Sequence, residues 1–76
     1  MTRNTKIYRD VQIGNLTREL RKLEKELLEK EMTAYDVAER YGTDSYQYEM
    51  YAHLTIAIRA ELEEVRNQLD EYLQAS

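Results

Sequence analysis

A seven-residue apolar repeat runs through almost all of this chain, breaks once at Gly42-Thr43-Asp44-Ser45, and then resumes. Before the break Ile13, Leu16, Leu20, Leu23, Leu27, Lys30, Ala34, Val37 and Tyr41 are spaced alternately three and four apart, which keeps them on one stripe of a continuous helix. After it Tyr48, Tyr51, Thr55, Ile58, Leu62, Val65, Leu69 and Tyr72 repeat the spacing. Two amphipathic helices joined by a tight turn must fold back on each other and run antiparallel. The expected architecture is therefore an all-α, coiled-coil-like hairpin over 13–76, with helix 1 about 15–41, the turn at 42–45 and helix 2 about 46–74.

Residues 1–12 read differently. Ile7, Val11 and Ile13 alternate with Lys6, Tyr8, Asp10 and Gln12, a two-residue period spoiled by Arg9 that suggests an extended or weakly ordered arm, with a helical extension as the other reading. Gly14-Asn15 offers a turn, and Asn15 a cap for a helix beginning at Leu16. Met32-Thr33 is a soft point, yet without Pro or Gly there the helix is expected to continue. Gly42 stands where a left-handed C-terminal cap is needed, and Asp44 or Ser45 can cap the second helix.

The second helix carries more apolar surface than one seam can use. From Tyr48 to Leu62 the charged residues are Glu49, Arg59 and Glu61, while Met50, Ala52, Leu54, Ile56, Ala57 and Ala60 lie off the main stripe. A helix that is apolar on more than one side is covered on more than one side. A chain of 76 residues without cysteine has neither size nor a disulfide to stabilise it. Self-association is the remaining route, and Ala52, Ile56 and Ala60, four apart, are expected to bring a second copy close enough for a dimeric four-helix bundle.

With 34% charged residues and a formal charge of −4, the chain has no general attraction to nucleic acid or anionic membrane. Its longest uncharged run, Met50 to Ile58, falls well short of the roughly 20 residues a membrane span requires. The first residues carry charge without an apolar segment, so no signal peptide is expected and a cytoplasmic location is the default. The charge is unevenly placed: residues 1–25 hold seven basic and three acidic side chains, residues 26–76 four basic and twelve acidic. Folding the hairpin is expected to set Arg18, Arg21, Lys22 and Lys25 against Glu61, Glu63, Glu64, Asp70 and Glu71, fixing orientation more than adding stability.

Five of the seven tyrosines (Tyr35, Tyr41, Tyr46, Tyr48 and Tyr51) lie around the turn, interleaved with Asp36, Glu39, Asp44 and Glu49. Tyrosine combines a large, stiff contact area with a polar tip, the property that enriches it in binding surfaces. Tyr41, Tyr48 and Tyr51 hold seam positions and are expected to close the core, whereas Tyr35 and Tyr46 lie off it. A protein partner is accordingly expected at Tyr35, Asp36, Glu39, Asp44, Tyr46, Glu49 and Met50, or on the apolar flank of helix 2.

The alternative is a dimeric DNA-binding regulator using Arg3, Lys6, Arg9, Arg18, Arg21 and Lys22. Residues Tyr35 to Ser45, with Ala38 and Gly42 four apart, resemble a helix-turn-helix element; the helix that follows, however, offers Gln47, Glu49 and His53 over Tyr46–Ile58 and neither Lys nor Arg. A ribbon-helix-helix dimer would read DNA through Lys6, Tyr8, Asp10 and Gln12, but helix 1 is too long for that compact fold. His53 follows Glu49 by four, a pair that two copies would need to share to hold zinc. No cysteine nucleophile, glycine-rich phosphate loop or repeated ligand spacing is present. A non-enzymatic adaptor or stoichiometric inhibitor, without cofactor, metal or small-molecule substrate, is the functional expectation.

Overall fold

A computed structural model describes the backbone over residues 2–74 and the side chains over residues 6–74. It contains two α-helices, α1 (Thr2–Tyr41) and α2 (Tyr46–Gln74), packed against each other as a hairpin with no strand among the described residues. The rod measures 58 × 14 × 14 Å. At about 1.5 Å per residue the 40 residues of α1 account for that length, and the 29 of α2 fall short of it at the open end.

The seam follows the repeat. Leu23, Ile58, Leu62 and Val65 form the buried core, with Leu16, Leu20 and Leu27 packed against it. Thr55 is buried in the same row, and its hydroxyl donates to the Ala52 carbonyl at 2.8 Å, so a polar group withdrawn from water is satisfied within its own helix. Lys30 is half-buried, as a seam lysine with its head in water should be. Tyr48, Tyr51, Leu69 and Tyr72 are also half-buried. Tyr41 departs from the repeat and is 59% exposed. It is the last residue of α1, and the backbone swings away at Gly42 before α2 can cover it.

The turn is built as its residues dictate. Gly42 has φ 88°, and its amide donates to the Ala38 carbonyl at 2.8 Å, which closes α1 in the left-handed conformation that favours glycine. Of the two candidate caps, Ser45 is the one that acts. Its hydroxyl oxygen accepts from the Tyr48 amide at 3.1 Å and its hydroxyl donates to the Gly42 carbonyl at 2.8 Å.

The N-terminal arm is helical rather than extended. Helix α1 starts at Thr2, and Gly14-Asn15 lies inside it instead of before it. No proline blocks propagation, one internal glycine costs only about 1 kcal/mol, and half-buried Ile13 and Leu16 on either side gain by continuing onto the seam. Asn15 accepts a hydrogen bond from Arg18 rather than capping. At the soft point the helix also continues, with the Thr33 hydroxyl donating to the Glu29 carbonyl at 2.9 Å.

The two glycines therefore predict opposite responses to alanine. At Gly14 a new Cβ would meet nothing closer than the Arg18 guanidinium at 4.0 Å in ordinary helical backbone. Gly14→Ala should stabilise by about 0.5–1 kcal/mol. At Gly42 the space is open but φ is +88°. Gly42→Ala should destabilise by about 1–2 kcal/mol, because an L side chain resists that backbone. Thermal melts that move in the same direction would refute this assignment of the two sites.

Candidate functional site

Two surfaces in the turn half of the rod collect five of the exposed large apolar residues, Tyr35, Tyr46, Met50, Leu54 and Ile56. The first is a groove of about 550 Å³ between the helices, lined on α1 by Glu31, Ala34, Tyr35 and Ala38, at the turn by Thr43, and on α2 by Tyr48, Ala52, Thr55, Ile56 and Arg59. Its alanines form low ground between taller residues, because Tyr35 and Ile56 remain 69% and 60% exposed. Arg59 and Glu31 are joined across the helices at 3.4 Å. The groove exists because Ala34 and Ala38 on α1 and Ala52 on α2 are too short to fill the flank of the seam.

The second surface is a shallower hollow of about 400 Å³ lined by α2 alone: Tyr46, Glu49, Met50, His53 and Leu54. These positions recur at three and four residues and so share a face, the one directed away from the seam. Tyr46, Met50 and Leu54 are exposed. Glu49 and His53 face each other at 3.7 Å, a contact between exposed groups that gains a charge component only when the imidazole is protonated. Among the described residues no group of three or more His, Asp or Glu side chains is placed to hold a metal ion.

The expected site residues thus separate. Tyr35 joins Ala52 and Ile56 in the inter-helix groove, whereas Tyr46, Glu49 and Met50 form the outer hollow. Ala60 is exposed and lines neither surface, since a four-residue step advances about 40° around the helix and carries the third member of the row past the groove. Asp36, Glu39 and Asp44 are exposed and line neither. Asp36 instead pairs with Arg40 at 3.5 Å. Sequence reasoning left out Ala34, Ala38 and Thr43 from the groove, and His53 and Leu54 from the hollow.

The expected pairing of charge blocks does not form. Arg18, Arg21, Lys22 and Lys25 are exposed, and among the described residues the ion pair that crosses between the helices is Arg59–Glu31. Exposed ion pairs gain too little to order long side chains, so water solvates these cations instead. Of the alternative nucleic-acid contacts, Lys6 is also exposed, Arg9 is half-buried with its Nε withdrawn from solvent and without a hydrogen-bond partner, and the side chain of Arg3 lies outside the described residues. Near the open end desolvation first, then the neighbouring Tyr8 phenol, hold Tyr72 above its ordinary value.

Neither helix is long and apolar enough to cross a membrane over the described residues. No family model, curated protein or solved structure matches the chain.

Proposed function

We propose that this protein is a non-enzymatic interaction module: a hairpin that pairs with a second copy through the groove around Ala52 and Ile56, and offers the outer face of α2, from Tyr46 to Leu54, to a different protein. The reading rests on one observation. Among the described residues twelve large apolar side chains are exposed and four apolar residues form the buried core. A lone hairpin with that balance leaves more apolar surface in water than a stable domain of this size tolerates.

The division of labour follows from the two surfaces. The groove has a floor of small side chains and raised flanks, the relief that lets helices interdigitate, and so serves the dimer and its four-helix bundle. The hollow belongs to a single helix and carries a tyrosine, a methionine and a leucine beside a carboxylate, which suits the apolar face of a partner helix with a basic edge. In a cytoplasmic setting such a module acts as an adaptor or a stoichiometric inhibitor.

Light scattering should give twice the 9.1 kDa chain mass at micromolar concentration. Met50→Glu with Leu54→Glu should keep that mass while losing the heterologous partner in capture from host lysate. Capture of the same protein by both forms would remove the hollow from the reading.

A dimeric DNA-binding regulator is the second reading, favoured by the exposed Arg18, Arg21 and Lys22 on α1, none of them in an ion pair among the described residues. It requires duplex binding that weakens steeply with salt and is lost on Arg18→Ala with Arg21→Ala.

A further inference from the structure

We infer that the second copy lies parallel to the first, turn beside turn, with the two-fold axis along the rod so that α1 of each chain covers α2 of the other over the groove. This deepens the self-association proposed above and rests on it.

Height along the rod carries the inference. The 3.4 Å contact between Glu31 and Arg59 places these residues within side-chain reach at similar heights on the two sides of the groove, and Tyr35 shares the groove with Ala52 and Ile56. A two-fold axis parallel to the rod leaves every level unchanged and exchanges the helices. Glu31 then meets the second copy's Arg59, and Arg59 its Glu31, so the charges match twice. Tyr35, 69% exposed, projects over the second copy's Ala52 and Ile56. Each chain supplies both knob and hole, as an isologous interface demands.

An axis across the rod matches less well. It lays α1 on α1 and α2 on α2. With its pivot at the level of Tyr35, it sets Glu31 against the second copy's Glu39, a like-charge approach that the axis along the rod avoids. It also opposes Tyr35 with its own copy and leaves the alanine floor without a knob. The parallel arrangement has one adverse feature, because Asp36, Glu39, Asp44 and Glu49 of both chains gather at one end, but all are exposed and solvated.

The chain has no cysteine, so single cysteines report the geometry without interference. Thr43 lines the turn end of the groove. An axis along the rod brings the two copies of residue 43 together, whereas an axis across it separates them by about 20 Å, counting seven or eight residues of rise on each side and well beyond disulfide reach. Oxidised Thr43→Cys should run almost entirely as a covalent dimer. A mixture of Tyr35→Cys and a mass-tagged Ile56→Cys should give the mixed dimer in preference to either pure one. A dimeric mass without either cross-link would overturn the parallel arrangement and leave self-association standing. A single-chain mass at every concentration would overturn both.

Discussion

Leu62→Ala should unfold most of the protein near body temperature and lower its thermal midpoint by roughly 10–20 °C, followed by circular dichroism. Leu62 is 7% exposed in a core of four buried apolar residues. Removing three carbons from a buried leucine costs about 2–5 kcal/mol, partly as lost transfer energy and partly as an unfilled cavity. A chain of 76 residues has roughly 4–11 kcal/mol of total stability, so one truncation removes a large share. The core is also thin: among the described residues no large side chain is less than 2% exposed, and few neighbours remain to close over a gap. Leu28→Ala provides the contrast. At 60% exposure that side chain has little to lose, and its midpoint should stay within a few degrees of wild type. Equal shifts for both leucines would mean that the seam is not where stability resides.

Ile56→Glu should separate folding from assembly. Ile56 is 60% exposed in the single hairpin, so a carboxylate there remains hydrated and helicity should persist. In the proposed dimer the same position is covered twice, once in each chain. Two carboxylates withdrawn from water without partners, each costing about 1.5 kcal/mol or more, weaken association by about 100-fold or more. Sedimentation or light scattering over a dilution series should show the dimer mass falling to that of one chain. A dimer of unchanged strength would remove the groove as the assembly surface.

The seam, the turn and the hairpin were legible in the residues because each rests on a strong local signal. Leucines at three and four spacing have one geometric meaning, and Gly42 followed by Ser45 supplies both an ending and a beginning. The first twelve residues were less legible because alternation and helical spacing overlap over so short a run; without proline, the helix already under way at Leu16 propagates through Gly14 to Thr2. The charge blocks misled for a different reason. Their order along the chain puts opposite signs at similar heights, but height does not bring side chains into contact, and Arg18, Arg21, Lys22 and Lys25 remain in water.

The candidate surfaces were half visible. Ala52 and Ile56 stood out as an apolar excess on α2, yet a groove has two walls, and the α1 wall is made by Ala34 and Ala38, four apart and both short. Placing Ala34 and Ala38 beside Ala52 locates it. His53 and Leu54 were similarly reachable, three or four positions on from Glu49 and Met50 along one face. Tyr41 was not, because its exposure depends on the direction the backbone takes after Gly42.

Folding back once places Thr2 and Gln74 toward one pole of a 58 Å rod and Gly42 at the other. Any polypeptide or label joined to either side of the hairpin consequently emerges remote from the five tyrosines around the turn. If two such rods stand side by side with their bends aligned, their four tethers leave in a common direction, and whatever they carry is gathered on one side while the opposite tip stays unobstructed.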